Sequence, residues 1–279
     1  MISTGELIYQ KPAYLCKAPE TVLPGVVAMG AEEIGRVMRE RSSTYLQSLG
    51  LTLRYVTPGD ILAIENFILL RYKSEQATEI SPYDLYRFIE FGHGLLLENE
   101  QKEVKGCLFG VRYDTAFKES YTVRLGIDES LSGLDTGYHL IISSCLHAMQ
   151  HGARTKTGII DFDNHTNLYI NLNKIGWICH DFDGYIKALG SCFKVMLPLT
   201  PAGLTTNVID LDKVTDFIAG SKAGRDYRLI AHTALDEMHQ MYRDTSFKVV
   251  AIQKEEKNRD LLYFLAIPAE ELQLNARLE

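Results

Sequence analysis

The alternation of apolar and polar residues changes abruptly around residues 127–140, and this change predicts a strand, a turn and a helix. Over residues 119–127 apolar side chains alternate with polar ones, whereas over residues 136–151 they recur at helical spacing. Gly133 and Gly137 allow a tight turn between the two because glycine accepts left-handed backbone angles. The first N–H groups of such a helix favour an anion, usually a phosphate, although an ordinary turn without a ligand has the same pattern.

The periodicity of apolar residues predicts further strands and helices on both sides of this turn. The predicted strands cover residues 51–57, 94–98, 104–113, 120–127, 158–163, 177–182 and 191–199, and the predicted helices cover residues 60–72, 81–91, 136–151 and 165–174. Asp60 and Ser81 suit helix N-termini, and Gly176 suits a helix stop. Three strands in close succession before the turn indicate an antiparallel meander.

Two flanking regions complete the predicted α+β fold. Residues 1–50 form an N-terminal extension with a helix over residues 31–49. Residues 200–279 form a C-terminal extension with helices over residues 210–219 and 226–243 and a hairpin of strands over residues 247–252 and 261–267. A lone hairpin is not stable, so it must pack on the helices or extend the main sheet. The predicted parts of the chain are therefore 1–50, 51–199 and 200–279.

Charge and cysteine usage narrow the class of protein. The 279 residues carry a net charge of −7, which argues against a general binder of nucleic acid or anionic membranes. No apolar run approaches the ~20 residues of a membrane span, and the N-terminal sequence lacks the pattern of a signal peptide. The five cysteines never form a CxxC pair, so neither a disulfide framework nor a zinc knuckle is indicated. We expect a cytoplasmic protein with no nucleic-acid or membrane partner.

Two short motifs have features of metal sites, and both are better explained as structure. His147 and His151 have the spacing of a zinc pair, but Ala148 stands where a zinc hydrolase needs Glu, and no third ligand is evident. In the sequence DFDNH, Asp161 and Asp163 share one face of a predicted strand. No metal is therefore expected, and no Walker loop, GxSxG motif or full dinucleotide fingerprint is present.

Two other motifs lie within about residues 51–199. The residues of the first, a strand end followed by a loop and a helix, are Ile127-Asp128, Gly133, Gly137 and Leu140-Ile141. The residues of the second, a helix entry and a helix exit, are Asn164 and Lys174-Ile175-Gly176-Trp177. Together with the order of elements, these motifs resemble the GNAT superfamily of N-acyltransferases over roughly half the chain.

The resemblance implies a GNAT-like fold of three layers with a central, mostly antiparallel sheet. It also implies transfer of an acyl group from a thioester donor, acetyl-CoA or another acyl-CoA, to a primary amine. The strands on either side of the loop would splay to admit the pantetheine arm, and a backbone N–H from a bulge at residues 124–126 would hold the oxyanion. The donor-site positions implied by the resemblance are Leu125, Ile127, Ser132, Gly133, Leu134, Asp135, Thr136, Gly137, Tyr138 and Asn164.

Two loop residues depart from the family's pattern. Ser132 replaces the basic or amide residue that opens the loop, and Asp135 replaces the middle glycine. A carboxylate there would repel a diphosphate, unless it points outward as the N-cap of the helix that begins at Thr136. A donor with a single phosphodiester, such as phosphopantetheine on an acyl carrier protein, would meet less repulsion. Both donors stay open.

The resemblance does not identify the general acid or the general base. The family's proton-donating tyrosine corresponds to Leu172, so Tyr169, one turn earlier, is the substitute candidate. For the base, Glu119 is the first candidate and Asp161 and Asp163 are its rivals, although such residues are more often solvated charges at strand ends. The acceptor would be a small-molecule or amino-acid amine.

Two alternatives to this acyltransferase are a binding or regulatory module without catalysis and a carrier-protein-dependent synthase of an N-acylated signal or amino acid. The first is favoured by Ser132, Asp135 and Leu172. The second predicts an apolar tunnel with a basic surface at its mouth. The basic residues proposed for that surface are Arg54, Arg71, Lys73, Arg154 and Lys156.

Overall fold

The computed structural model of the protein describes residues 9–71, 81–114, 118–186, 190–200, 203–254 and 261–274. The strands are β1 (Tyr9–Gln10), β2 (Leu51–Tyr55), β3 (Gly92–Asn99), β4 (Val104–Asp114), β5 (Glu119–Ile127), β6 (Thr155–Asp161), β7 (Ile178–Ile186), β8 (Gly190–Pro198), β9 (Arg228–Ala231), β10 (Phe247–Lys254), β11 (Leu262–Pro268) and β12 (Gln273–Leu274). The α-helices are α1 (Pro19–Val22), α2 (Ala31–Ser48), α3 (Ile61–Arg71), α4 (Pro82–Phe91), α5 (Thr136–Gln150), α6 (His165–Tyr169), α7 (Gly203–Thr206), α8 (Leu211–Gly220) and α9 (Leu235–Asp244). Among the described residues, no helix combines the length and apolar character that a membrane crossing needs.

The chain divides into two compact units, each with its own strands. One unit comprises Gly30–Gly158, and the other comprises the residues up to Met29 together with those from Ile159 onward. The division falls inside β6 and differs from the predicted parts 1–50, 51–199 and 200–279. The reason is that the second unit joins β7 and β8 to the later strands β9, β10 and β11.

In the unit Gly30–Gly158 the strand order is β2-β3-β4-β5-β6. The strands β2 to β5 pair antiparallel with their neighbours, which confirms the predicted meander. One apolar core of this unit lies between the helices α3 and α4 and the strands they cover. Its buried side chains are Val56, Ile64, Ile68, Leu85, Leu96, Cys107 and Phe109.

Capping boxes start the two helices that follow β2. In α4 the Ser81 hydroxyl accepts a hydrogen bond from the Asp84 N–H, and the Asp84 carboxylate accepts one from the Ser81 N–H, as predicted for a start at Ser81. The start of α3 differs from the prediction. Thr57 is the N-cap of a 3₁₀ turn over Pro58–Asp60, and Asp60 is the third residue of this capping box. The Asp60 carboxylate accepts a hydrogen bond from the Thr57 N–H at 2.8 Å.

The helix α5 connects β5 to β6, and these two strands pair parallel. A parallel pair needs such a crossover because a tight turn can only reverse the chain. The pairing runs from Glu119 opposite Thr155 to Thr122 opposite Gly158. The predicted unit of strand, loop, helix and strand is therefore confirmed within Gly30–Gly158.

In the other unit the strand order is β8-β7-β10-β11-β9. The predicted hairpin is β10 and β11, and β10 joins β7 antiparallel with Val249 opposite Cys179. The hairpin thus extends a sheet, which is one of the two arrangements that the sequence predicts. The buried side chains of one core of this unit are Leu15, Cys16, Ile178, Ile209, Val214, Tyr227, Val250, Ala251, Leu265, Ile267 and Leu272.

The predicted helix over residues 226–243 is wrong in its first half. Arg228–Ala231 is the strand β9, paired antiparallel with β11 so that Leu229 lies opposite Leu265, and α9 begins only at Leu235. The apolar spacing in this segment fits a helix, but the edge of β11 supplies the backbone partners. Pairing with a distant strand overrides local periodicity here.

The predicted helix over residues 165–174 also differs in its winding. α6 ends at Tyr169, and a π-helical segment continues over Ile170–Ile175. The helix stops at Gly176, as predicted, where φ is +95°. The wide turn is held by the N–H groups of Gly176 and Trp177, which both donate to the Asn171 carbonyl.

Candidate functional site

The loop between β5 and α5 is ordered by its own short-range hydrogen bonds. The Asp128 carboxylate accepts a hydrogen bond from the Ser130 N–H at 2.9 Å and starts a 3₁₀ turn over Glu129–Leu131. Gly133 then takes a left-handed conformation with φ of +80°. A Cβ atom at Gly133 would meet no other atom within 4 Å, so the residue is glycine for its backbone angle and not for lack of space.

Asp135 does not cap α5 in the way that the sequence analysis proposes. It occupies the N-cap position with φ of +50°, and its side chain makes no capping hydrogen bond. A side-chain cap needs an extended backbone at this position, whereas Asp135 is left-handed. The predicted capping role of Asp135 is therefore wrong.

The helix α2 contacts this loop and the first turn of α5, and sequence analysis did not predict these contacts. The Tyr45 hydroxyl donates to the Leu134 carbonyl at 2.9 Å. The Tyr45 ring also stacks on the His139 ring with centroids 4.5 Å apart, and His139 Nδ1 lies 3.0 Å from Ser42 Oγ. The contact joins chain segments that are 89 residues apart, so no local pattern could have indicated it.

The strand β5 carries a bulge, but not at the predicted residues 124–126. Arg124 pairs with Phe109 and Thr122 pairs with Gly110, so Val123 is the extra residue. The bulge directly follows Thr122, the last residue of the parallel pairing with β6. The hydroxyl of Thr122 is buried and has no hydrogen-bond partner within the described ranges. Val123 thus has no opposite residue in β4, four residues before the end of β5.

The first base candidate, Glu119, lies at the start of the same strand. Its carboxylate accepts a hydrogen bond from the Thr157 hydroxyl at 2.5 Å across the parallel pair. Glu119 and the bulge at Val123 are four residues apart, which is about 13 Å along a strand. Glu119 therefore contacts Thr157, and it lies about 13 Å from the bulge.

The remaining candidates lie in the unit that begins at Ile159. The Asp161 carboxylate accepts a hydrogen bond from the Asp163 N–H at 2.9 Å, and the Asn164 side chain caps α6 through the Asn167 N–H. Tyr169 is half-buried, and its ring centroid is 6.0 Å from Lys174 Nζ. Leu172, at the family's tyrosine position, is completely buried.

Asp161 and Asp163 line a cavity of about 550 Å³ together with two histidines, His165 and His232. The two imidazole rings meet edge to face with centroids 4.9 Å apart. Nε2 of His165 is buried and makes no hydrogen bond to any described residue. Burial, followed by the neighbouring His232, lowers the pKa of His165, while Asp163 and Asp161 act in the opposite direction. Sequence analysis named the two carboxylates and missed both histidines.

The histidine pair on α5 is part of a ring stack. His147 and His151 stack with centroids 4.1 Å apart, and His147 Nδ1 is 2.9 Å from the Tyr55 hydroxyl. His93 adds a third ring, 4.4 Å from His147. Within the described ranges, no three His, Cys, Asp or Glu side chains are grouped so that they could hold a metal ion.

Two of the basic residues proposed for a carrier-protein surface serve the structure. Arg54 forms ion pairs with Asp60 and Glu98 at 2.7 and 2.9 Å. Lys156 is completely buried, and burial lowers its pKa to about 8. The side chains of Arg71 and Lys73 lie outside the described residues.

No protein-family model and no curated protein matches this sequence. Solved structures do match. One is spermidine N-acetyltransferase from Vibrio cholerae in complex with CoA and spermine, at 13% identity over 56% of this chain and 98% of that chain, with a TM-score of 0.45. Another is the NatC complex bound to Gag peptide and CoA, at 14% identity over 53% of this chain and 98% of that chain, with a TM-score of 0.48. A third is a GNAT-family acetyltransferase from Staphylococcus aureus, at 13% identity over 53% of this chain and 99% of that chain, with a TM-score of 0.42.

The order from β2 to β8 is strand, two helices, three strands, helix, strand, helix and two strands, which is the order that the resemblance implies. The fold is GNAT-like.

Proposed function

We propose that this protein is an N-acyltransferase that moves an acyl group from a thioester donor, an acyl-CoA such as acetyl-CoA, to a primary amine. The observation that carries the proposal is the bulge at Val123, which directly follows the end of the parallel pairing at Thr122 and precedes the glycine loop and α5. Backbone groups released from a ladder are available to a bound thioester and its oxyanion. This arrangement supports acyl transfer more than a plain strand-to-helix turn does.

The donor phosphates would lie over the N-terminus of α5. The first N–H groups of a helix have no partner within it, and here they belong to Thr136, Gly137 and Tyr138. Ser132 and Leu134 are exposed in the same loop, but their N–H groups already donate to the carbonyls of Glu129 and Leu131. Leu125 and Ile127 would line the pantetheine arm along β5. The splay of β5 and β6 beyond Gly158 stays a prediction, because the rest of β6 belongs to the other unit.

The chemistry needs three groups from the chain. The acceptor amine must lose a proton, the tetrahedral oxyanion must be held by a backbone N–H near Val123, and the leaving thiolate must gain a proton. Tyr169 is our candidate for that last proton, because Leu172 carries none. Glu119 and Asp161 are the carboxylates that the sequence suggests as acceptors of the proton from the amine.

The direct test is a calorimetric titration with acetyl-CoA of the wild type and of Asp135→Asn. Asn tolerates the left-handed backbone at this position, so the variant removes only the charge. We expect acetyl-CoA to bind the wild type weakly and the variant about tenfold more tightly, because the carboxylate repels the diphosphate.

Glu129→Gln is the matched control, since it removes one carboxylate from the same loop, one turn earlier. We expect it to leave the affinity within about twofold of the wild type. If neither the wild type nor Asp135→Asn binds acetyl-CoA, the proposed acyl-CoA site is refuted. If only phosphopantetheine on a carrier protein serves as donor, the carrier-protein synthase replaces the acyl-CoA enzyme.

A fold retained for binding without catalysis is the second candidate, and the complete burial of Leu172 favours it. This candidate predicts that acetyl-CoA binds and that no thiol is released with any amine. Acyl transfer to one amine, detected as free CoA thiol, would exclude it.

A further inference from the structure

The cavity between the end of β6 and the start of α9 belongs to a single unit and is large enough for a small ligand. Its volume of about 550 Å³ lies within the range of roughly 300–1,000 Å³ that ligand pockets usually have. Asp161, Asp163, Ser191 and Thr233 line it with polar groups, and Leu235 adds an apolar wall.

The charges in the cavity select the class of ligand. Asp161 and Asp163 are both carboxylates, and burial lowers the pKa of His165, which disfavours its positively charged form. A cavity with this balance attracts a cation and repels phosphates and carboxylates. A protonated primary amine fits, because an ammonium group donates three hydrogen bonds and accepts none.

The position of His165 is fixed by its neighbours. His232 meets its ring edge to face, and His232 itself is held at Leu262, where ring Nδ1 and the backbone lie 3.3 Å apart. The backbone N–H of His165 donates to the Asp163 carbonyl at 2.9 Å. Its Nε2 is buried and makes no hydrogen bond to any described residue. Buried polar atoms are normally paired, so an unpaired imidazole nitrogen in a cavity indicates a missing partner.

We propose that this cavity binds the ammonium group of a primary amine beside Asp161 and Asp163, and that the ammonium group donates a hydrogen bond to His165 Nε2. All the lining residues belong to the unit that begins at Ile159.

Binding can be tested without any donor by NMR of the histidine ring signals. We expect n-butylamine to shift the His165 signal in a saturable manner and the uncharged n-butanol to leave it unchanged. Asp161→Asn should weaken the binding of butylamine about tenfold, since it removes one charge partner. His239→Gln is the matched control, because His239 lies on α9 against Phe182 and is not among the lining residues. Equal effects of butylamine and butanol would overturn the proposal.

The failure of this proposal can be told apart from the failure of the proposed function. If acetyl-CoA binds and butylamine does not reach the cavity, the cavity proposal fails and the acyltransferase stands. If butylamine binds as expected and acetyl-CoA does not, the cavity is an amine site and the acyl-CoA enzyme is refuted.

Discussion

Gly176 shows how a single residue fixes the exit from the π-helical segment. Its φ is +95°, and a Cβ atom there would lie 2.4 Å from Asn207 Cβ and 2.6 Å from the Asn207 carbonyl oxygen. Both the backbone angle and the space therefore require glycine. The sequence predicts the stop, and only the structure shows that Asn207 closes the space.

Gly176→Ala should lower the free energy of unfolding by about 3 kcal/mol, because alanine is strained at this angle and collides with backbone atoms. Urea denaturation measures the loss. Gly220→Ala is the control: Gly220 ends α8, a Cβ atom there meets nothing within 4 Å, and its φ is not positive. We expect the control to change stability by less than about 0.5 kcal/mol. Similar losses in both variants would contradict the role of Asn207.

At the scale of elements, the π-helical segment Ile170–Ile175 is tied to β10 by one side chain. Asn173 donates to the Ile252 carbonyl at 2.7 Å and accepts from the Ile252 N–H at 2.9 Å. Asn173 is buried, so water cannot replace these two bonds. The Asn173 side chain thus pairs both backbone groups of Ile252 and links the π-helical segment to β10.

Asn173→Leu should lower the free energy of unfolding by about 2–4 kcal/mol, because it leaves a buried N–H and a buried carbonyl of β10 without partners. Thermal and urea unfolding both report this change. Gln253 is next to Ile252 in the same strand, and its side chain donates to the Thr215 hydroxyl at the surface, so Gln253→Ala should cost less than about 0.5 kcal/mol. A neutral Asn173→Leu would show that the segment is held by packing alone.

At the scale of the molecule, a buried lysine joins three distant parts of one unit. Lys11 Nζ donates to the carbonyls of Leu172 and Val250, both at 2.6 Å, and its backbone N–H donates to the Asn207 side chain. The residue is 1% exposed, and burial lowers its pKa from 10.5 to about 7. The N-terminal segment is thus fastened to the π-helical segment and β10 by a group that titrates near neutral pH.

Stability should therefore rise with pH above neutrality. Between pH 7 and pH 10.5 the unfolded chain keeps the Lys11 proton that the folded chain has lost, so raising the pH favours the folded state. From pH 7 to pH 9 we expect the wild type to gain roughly 2 kcal/mol relative to Lys11→Met, which lacks the titrating group. Urea denaturation at several pH values measures the difference. Parallel pH curves for the two proteins would disprove it.

Sequence analysis succeeded where the cause of a structure is local. Most strands and helices, the capping box at Ser81, the stop at Gly176 and the unit of β5, loop, α5 and β6 follow from periodicity and from residues that act on their immediate neighbours. It failed at β9, where the edge of β11 decided between strand and helix. Propensity is a weak prior when a distant strand offers backbone partners.

The candidate site divides in the same way. The sequence by itself determined the glycine loop, the acidic residue Asp135 within it and the carboxylates at the end of β6. Only the tertiary structure decided that the bulge lies at Val123, that Tyr45 holds the loop, and that His232 meets His165 in a cavity. The physical reason is that backbone angles and caps depend on residues within one turn, whereas registers, bulges and cavities depend on which distant segments pack together.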